Sequence, residues 1–228
     1  MRDLSIIFDL DGTLVDTAPD LLLSLYHCLD KKRFGRPEAK LIHSYISFGA
    51  KRMITEALEV QQIEASPNLI EDMLGDFLAY YRENICVESK AFPGVMNCLS
   101  ILKSRGARLG VCTNKSENLA HHLLNKLEMS AYFGAIVGVD TLDVSKPHPG
   151  HINGTINLIS GLPEYSIMVG DSKTDIEAAK AAGIPVIAVS FGYTDKPVHS
   201  FEPDAVISHY DSLIVEIEKL QLNLIVPN

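Results

Sequence analysis

Residues 4–14 read LSIIFDLDGTL and join an apolar run to a turn that carries two aspartates. A strand that is apolar on both faces is typical of a parallel sheet covered by helices on both sides. Asp9 and Asp11 are alternate residues, so their side chains would share one side of a continuing strand. Gly12 then allows a sharp turn that brings backbone N–H groups close to the carboxylates. We therefore expect a buried strand with a functional turn at its carboxyl end.

Apolar runs of the same type recur along the chain, at residues 107–112, 135–139, 166–169, 185–189 and 205–207. Segments of helical length and periodicity separate these runs. This alternation predicts the α/β class, with a Rossmann-like, doubly wound parallel sheet as the core.

One long stretch, from Thr17 to Lys90, shows helical patterning without a convincing strand. A helical insert of that length after the first strand predicts a small, all-helical cap domain. We therefore divide the chain into an α/β core, residues 1–16 plus 91–228, and a helical cap, residues 17–90.

Composition and charge narrow the class of protein. The chain has 228 residues, 46% of them hydrophobic and 21% charged, as is usual for a globular protein. Its formal net charge of −9 argues against nucleic acids and anionic membranes as partners, because both attract basic surfaces. No apolar run reaches the ~20 residues that a membrane-spanning helix needs, and no signal peptide is visible. The four cysteines are scattered without metal-binding spacing, so we expect reduced thiols and a cytoplasmic protein.

Polar side chains follow three of the predicted strands, and one lysine lies in a proline-stiffened loop: Asp9, Asp11, Thr113, Asn114, Lys146, Asp171 and Asp175. Open α/β sheets bind ligands at the carboxyl ends of their strands, so we expect these groups to converge. Clustered carboxylates stay ionised only with a cation among them, and an all-oxygen set favours Mg²⁺. Hydroxyl, amide and ammonium donors suit the oxygens of a phosphoryl group. Together these features indicate phosphoryl transfer.

Four ordered segments carry a resemblance to a known family: Asp9-Leu10-Asp11-Gly12-Thr13-Leu14, Thr113-Asn114-Lys115, Lys146-Pro147 and Gly170-Asp171-Ser172-x-x-Asp175. Over nearly its whole length the chain resembles the haloacid dehalogenase superfamily, and its helical insert is similar to the C1-type cap of that superfamily. Because Asp11 is present, the resemblance implies the phosphatase branch rather than the dehalogenases. Within that branch, residues 92–95 and 191–194 resemble phosphoglycolate phosphatases, which implies 2-phosphoglycolate as the substrate.

The resemblance also implies a role for each site residue. Asp9 would attack phosphorus and form an aspartyl-phosphate, and Asp11 would act as general acid and then as general base. Mg²⁺ would be held by Asp9, the backbone carbonyl of Asp11 and Asp171, with Asp175 outside the direct ligands. Three donors would hold the phosphoryl oxygens, namely Thr113, Asn114 and Lys146. Apart from the resemblance, Arg52 of the cap is a candidate for reading a second anion of the substrate, with a surface charge on a cap helix as the alternative. The expected partner is a small phosphorylated metabolite, and the expected assembly is a monomer or homodimer.

Several alternatives stay open at this point. A β-phosphoglucomutase-like or pyrophosphatase-like relative would share the core chemistry. A receiver-like phosphoacceptor or a non-catalytic binding module would not catalyse repeated turnover of a phosphate ester. Lys115 is interpreted as a solvated side chain, and Tyr193 as a packing residue. His148 and His151 lack an acidic partner in their loop and are interpreted as structural or helix-capping residues.

Overall fold

A computed structural model describes residues 3–225. Eight strands are present in this range: β1 (Ser5–Phe8), β2 (Val15–Asp16), β3 (Lys90–Ala91), β4 (Arg108–Cys112), β5 (Ala135–Val137), β6 (Ser166–Gly170), β7 (Val186–Val189) and β8 (Ala205–Ile207). Nine α-helices accompany them: α1 (Ala18–Lys31), α2 (Ala39–Ile42), α3 (Ala50–Val60), α4 (Pro67–Glu83), α5 (Val95–Ser104), α6 (Glu117–Lys126), α7 (Pro149–Leu158), α8 (Lys173–Ala182) and α9 (Leu213–Ile225). Short 3₁₀ turns cover residues 43–48, 130–132, 163–165, 198–201 and 210–212.

The main sheet has six parallel strands in the order β5-β4-β1-β6-β7-β8. Strand β1 lies at the centre, and Phe8 is in register with Val111 on one side and with Val169 on the other. Strands β4 and β5 are added on one side of β1, and strands β6 to β8 on the other. Open α/β sheets bind ligands at such a change of strand order. The Rossmann-like fold class predicted from the alternating runs is confirmed.

Alternate residues of each strand enter two separate apolar cores, one on each face of the sheet. Ile6 and Phe8 belong to the larger core, which contains residues of α5, α6 and α9, whereas Ile7 belongs to the core packed by α7 and α8. All three side chains are fully buried. Burial on both faces explains why β1 reads as a continuous apolar run rather than as an alternating one.

Helices α1–α4 form an all-helical segment, called the cap below, between β2 and β3. Helix α4 begins as its sequence predicts, with Ser66 accepting the backbone N–H of Leu69 at 3.2 Å and Pro67 as the first helical residue. The cap has its own packing contacts, chiefly α1 on α4 and α3 on α4. The division at residues 17 and 90 stays a prediction.

A two-stranded antiparallel sheet, which the sequence did not reveal, joins both connections between core and cap. Val15 is in register with Ala91, and Asp16 with Lys90. Beside it, the buried carboxylate of Asp20 accepts backbone N–H groups of residues 87–89 at 2.8–3.1 Å. Strands of two residues have no detectable periodicity, so only the folded chain shows this pairing.

Within residues 3–225, no helix is both long and apolar enough to cross a bilayer. The four cysteines are free thiols, and Cys28, Cys98 and Cys112 are buried. The thiols therefore act as apolar packing groups in this fold.

Candidate active site

The predicted convergence occurs at the carboxyl edge of the three central strands. Asp9 directly follows β1, Thr113 directly follows β4, and Asp171 directly follows β6. Backbone pairing continues past the strand ends, because the N–H of Asp9 donates to the carbonyl of Val169 at 2.9 Å. The sheet therefore holds residues that are far apart in sequence side by side.

Gly12 makes the tight turn after β1 possible. Its φ of 83° lies in the left-handed region, and a Cβ at this position would lie 2.6 Å from Oδ2 of Asp171. Neither the backbone conformation nor the space allows a larger residue. Gly12 thus permits the first and last motifs to approach each other.

Three buried carboxylates, those of Asp9, Asp171 and Asp175, present oxygens within 4.8 Å of one another. Burial raises the pKa of Asp9 to about 7, and the neighbouring Asp175 carboxylate adds to this rise while Lys146 opposes it. Burial and the charges of Asp175 and Asp9 likewise raise the pKa of Asp171 well above its ordinary range. These carboxylates would ionise more readily if a further cation were placed among them.

Lys146 supplies one positive charge to this cluster. Its Nζ donates to Oδ1 of Asp9 at 2.7 Å and to Oδ1 of Asp175 at 2.6 Å, and the side chain is buried. Burial disfavours the ammonium form, but the two carboxylates outweigh this effect and raise the pKa of Lys146. One ammonium cannot balance three carboxylates, so the local charge favours a divalent cation as well.

His151 fixes the loop that carries Lys146. Its Nδ1 accepts the backbone N–H of Lys146 at 3.2 Å, and its Nε2 lies 3.0 Å from the carbonyl of Gly138. Since a carbonyl can only accept, Nε2 carries the hydrogen and the ring is neutral. His148 caps α7 by accepting the N–H of Gly150 at 3.0 Å. Both histidines have the structural roles given to them by sequence.

Asp171 is held in place by donors from two distant segments. Thr13 Oγ1 donates to Oδ1 at 2.9 Å, and the backbone N–H of Tyr193 donates to Oδ2 at 2.7 Å. The segment reaches this close because Gly192 precedes Tyr193, and a Cβ at Gly192 would lie 2.1 Å from Cβ of Asp171. The carboxylate therefore has a fixed orientation toward Asp9.

Asp175 supports the cluster from the first turn of α8. Its Oδ2 accepts Ser172 Oγ at 2.6 Å and the backbone N–H of Ser172 at 3.0 Å, which forms a capping box with that serine. With Lys146 on its other oxygen, Asp175 already has donors on both atoms. Asp9 and Asp171 therefore keep more capacity for a divalent metal ion than Asp175, whose place outside the direct ligands stays a prediction.

Asp11 does not join this cluster but pairs with Lys115. The ammonium of Lys115 donates to both carboxylate oxygens of Asp11, at 2.8 and 3.0 Å. It also lies 4.7 Å from the centroid of the Tyr81 ring, which belongs to α4 of the cap. The interpretation of Lys115 as a solvated side chain is wrong, because its side chain is only 6% exposed. The sequence did carry a signal for a site role of Lys115, because it follows β4 in the same strand-end segment as Thr113.

Thr113 and Asn114 both line the same cavity as Asp9 and Asp11. Thr113 is buried, and its Oγ1 accepts the backbone N–H of Lys115 at 3.2 Å, so the hydroxyl hydrogen is free to donate elsewhere. Asn114 Nδ2 donates to the carbonyl of Lys146 at 3.0 Å, which uses one of its two hydrogens. Asn114 therefore ties the second and third motifs together and keeps one donor for a ligand.

A cavity of about 240 Å³ lies between this edge of the sheet and the cap. Its cap wall is largely apolar and includes Leu21, Ile46, Met53, Phe77 and Leu78. The volume is below the ~300–1,000 Å³ that is usual for sites of drug-sized ligands, so the cavity suits a compact molecule.

The structure does not bring Arg52 to this cavity. Its guanidinium is paired with Glu56 at 2.8 Å on the same helix and lies over the ring of Tyr45. The cationic cap residue that lines the cavity is Arg82, which sequence reasoning did not single out. The spacing along α4 offered no signal for it, because Arg82 is adjacent to the buried Tyr81 and adjacent helical residues do not share a face.

Tyr193 is the third residue whose place in the site sequence reasoning missed, after Lys115 and Arg82. Besides holding Asp171 through its backbone, its hydroxyl donates to Asp16 Oδ1 at 2.6 Å and accepts the N–H groups of Thr17 and Ala18. It thereby connects the carboxylate cluster to the first link between core and cap. The interpretation of Tyr193 as a packing residue was incomplete, since its hydrogen bonds span 176 positions of sequence.

Comparisons with known proteins agree with this geometry. The profile of the family described as haloacid dehalogenase-like hydrolase matches residues 6–189. A phosphoglycolate phosphatase of Mesorhizobium japonicum is 44% identical over 212 residues, which cover 93% of each chain. One from Agrobacterium fabrum is 42% identical, covering 91% of this chain and 89% of that one.

Among solved structures, a predicted phosphoglycolate phosphatase from Haemophilus somnus superposes with a TM-score of 0.88 at 29% identity. The match covers 95% of this chain and 98% of that one. The family resemblance seen in the four motifs is confirmed, as is the expected class of enzyme. The chain is therefore a phosphatase of the haloacid dehalogenase-like hydrolase family.

Proposed function

We propose that this chain is a Mg²⁺-dependent phosphomonoester hydrolase that converts 2-phosphoglycolate to glycolate through an aspartyl-phosphate. The observation that carries the proposal is the position of Asp9, whose carboxylate lines the cavity, accepts a hydrogen bond from Lys146 and lies close to the carboxylates of Asp171 and Asp175. The named relatives are phosphoglycolate phosphatases, which supports the choice of substrate.

In the first step, a carboxylate oxygen of Asp9 attacks phosphorus and the bond from phosphorus to the ester oxygen breaks. Asp11, as the carboxylic acid, gives its proton to that departing oxygen, which therefore leaves as the hydroxyl group of the alcohol product. The two carboxyl groups occupy separate positions in the site, because Asp9 contacts Lys146 and Asp11 contacts Lys115.

In the second step, Asp11 takes a proton from water as the water oxygen attacks the phosphoryl group on Asp9. The bond between phosphorus and Asp9 breaks, inorganic phosphate leaves, and Asp11 is again protonated. The sum is one ester and one water converted to one alcohol and one phosphate.

Charge stabilisation comes from fixed groups around the phosphoryl oxygens. Thr113, Asn114 and Lys146 donate to these oxygens, and their own hydrogen bonds hold them in position before substrate arrives. Asp9 and Asp171 would hold Mg²⁺, which supplies Lewis-acid neutralisation of the phosphoryl charge when bound. The apolar cap wall excludes bulk water from the reacting atoms.

The same wall argues against the mutase-like alternative. A sugar phosphate presents many hydroxyl groups, each of which needs a hydrogen-bond partner when it is buried. The cap side of this cavity consists largely of aliphatic and aromatic carbon. Its small volume also favours a two-carbon ester over a hexose.

The test is a phosphate-release screen over small phosphoesters, sugar phosphates and pyrophosphate, with Mg²⁺ and with chelator. We expect multiple turnovers on 2-phosphoglycolate, little on sugar phosphates, and no activity with chelator. In Asp9→Asn the rate should fall at least about a thousandfold, whereas Asp3→Asn, a change of an exposed aspartate, should leave it unchanged.

A single phosphorylation without turnover would instead indicate a receiver-like phosphoacceptor. Isomerised sugar phosphate without net phosphate release would indicate a mutase. Acid quench during turnover followed by peptide mass spectrometry should find the phosphoryl group on Asp9, and its presence on another residue would contradict the assigned nucleophile.

A further inference from the structure

Arg82 is a cationic side chain of the cap that has no acidic partner within residues 3–225, as is also the case for Arg33 and Lys90, but of these three only Arg82 lines the cavity. The remaining Lys and Arg residues of the cap mostly pair with carboxylates within 4.0 Å, namely Lys31, Lys32, Arg36, Lys40, Lys51 and Arg52. Among residues 3–225, no carboxylate lies within that distance of the Arg82 guanidinium. Arg82 nevertheless lines the substrate cavity.

The two other cations that line the cavity already have carboxyl partners on the core side. Lys146 pairs with Asp9 and Asp175, and Lys115 pairs with Asp11 through both carboxylate oxygens. Within the described lining of the cavity, Arg82 is therefore the positive charge that remains available for a second anion of the substrate.

Arg82 lines the same cavity as Asp11, the residue that acts on the leaving oxygen in the proposed reaction. Asp11 protonates the leaving oxygen in the proposed reaction, and Lys115 joins Asp11 to the ring of Tyr81. Arg82 follows Tyr81 directly, and both residues line the cavity. The contacts of Asp11 with Lys115 and of Lys115 with Tyr81 thus link the proposed general acid to the helix that carries Arg82.

The apolar side chains of the cap wall leave the guanidinium of Arg82 to distinguish acidic substrates from neutral ones. Phe77, Leu78 and Met53 form the neighbouring wall and offer no hydrogen bonds to a carboxylate. Arg82 is itself exposed while it lines the cavity, and its planar guanidinium can bind a carboxylate through two parallel N–H donors.

We propose that Arg82 is a specificity-determining residue that binds the carboxylate of a short phosphoester acid. This inference rests on the proposed function and deepens it, since it selects acids over neutral esters of the same size. It also assigns to Arg82 the recognition of the second anion that the sequence suggested for Arg52.

The experiment measures kcat/KM for two acids and their isosteric amides: 2-phosphoglycolate and its amide, and the phosphate ester of 3-hydroxypropanoate and its amide. The variants are Arg82→Gln and Arg82→Lys, with Arg52→Gln as the matched control on an exposed cap arginine. Wild type should prefer each acid to its amide by tenfold or more. Arg82→Gln should lose about tenfold to a hundredfold on the acids, mainly through KM, and little on the amides.

Arg82→Lys should fall between wild type and Arg82→Gln, because it keeps the charge but loses the planar pair of donors. Equal losses on acids and amides, or an equal effect of Arg52→Gln, would overturn the assignment of Arg82. If wild type prefers the longer acid and the acid preference still depends on Arg82, the proposed substrate is wrong while this inference stands. If wild type turns over none of the four esters, both fall.

Discussion

The two walls of the cavity are built on opposite principles. On the core side, each ionisable group has a fixed partner, as Asp9 has Lys146, Asp11 has Lys115 and Asp171 has Thr13. On the cap side, the wall is mostly apolar carbon with one unpaired guanidinium, that of Arg82. Under the proposed function, the sheet edge would fix the chemistry before substrate arrives, whereas the cap would select which substrate is admitted.

The largest expected effect is on the core side, at Lys146. In Lys146→Met the ammonium is lost while the Asp9 and Asp175 carboxylates stay buried, so the free energy of unfolding should fall by about 3–5 kcal/mol without divalent ion. Phosphate release should fall by about a hundredfold or more. Chemical denaturation and steady-state kinetics measure both.

Lys219→Met is the matched control, because Lys219 forms an exposed ion pair with Glu216. Its effect on the free energy of unfolding should stay below about 1 kcal/mol. Similar losses in the two variants would contradict the contrast between the buried core edge and the surface.

A second effect concerns pH and the buried ring of His151. Burial lowers the pKa of His151 to about 4, with Lys146 adding to the shift. The unfolded chain protonates this ring near its ordinary value of ~6.5 while the folded chain does not, so stability is lost as pH falls from 6.5 toward 4. Above 6.5 both states are neutral and the residue adds no pH dependence.

The variant His151→Asn tests this, since the amide oxygen can accept the N–H of Lys146 in place of Nδ1. Between pH 7 and pH 5, wild type should lose about 2 kcal/mol more free energy of unfolding than the variant. Parallel stability curves for the two proteins over this range would exclude His151 as the source.

A third effect lies at the connection between the two walls. The Asp20 carboxylate accepts N–H groups of Val87, Glu88 and Ser89, and it also accepts the hydroxyl of Ser89 at 2.7 Å. In Asp20→Asn, an amide NH₂ replaces one carboxylate oxygen and faces the N–H groups that this oxygen accepted. The free energy of unfolding should therefore fall by about 2 kcal/mol. Because the second cap connection loosens, KM should rise more than kcat falls; the reverse pattern would place Asp20 outside substrate closure.

A smaller effect concerns the adjacent residues Gly192 and Tyr193. Substitutions at these two positions should distinguish metal binding from the connection between core and cap. Gly192→Ala should displace the Asp171 carboxylate, because the new Cβ has no room beside it, and the Mg²⁺ concentration for half-maximal activity should rise about tenfold. Tyr193→Phe keeps the backbone bond to Asp171 and loses only the hydroxyl bonds to the first connection. It should leave the Mg²⁺ dependence unchanged while lowering stability by about 1–2 kcal/mol.

The smallest expected effect is at Arg52. Its guanidinium pairs with Glu56 and Glu59 on an exposed helix face, away from the cavity lining. Arg52→Gln should change the free energy of unfolding by less than about 0.5 kcal/mol and kcat/KM on 2-phosphoglycolate by less than about twofold. A tenfold rise in KM for that substrate would restore Arg52 as the anion reader.

The amino-acid sequence by itself determined the parallel sheet and the positions of the reacting groups. A continuous apolar run such as residues 4–8 marks a strand buried on both faces, and the residue after each such strand must lie at the carboxyl edge of the sheet. Asp9, Thr113 and Asp171 therefore follow from local patterns and the geometry of parallel strands.

Only the tertiary structure decided which of these groups pair, and which cap residue faces them. Side-chain pairing depends on distances of a few ångströms between segments such as Asp11 and Lys115, and local periodicity carries no such information. Arg52 and Arg82 both lie on amphipathic helices, so nothing in their own segments distinguishes the surface residue from the cavity residue. That choice depends on how α3 and α4 pack over the sheet edge, which is a property of the whole fold.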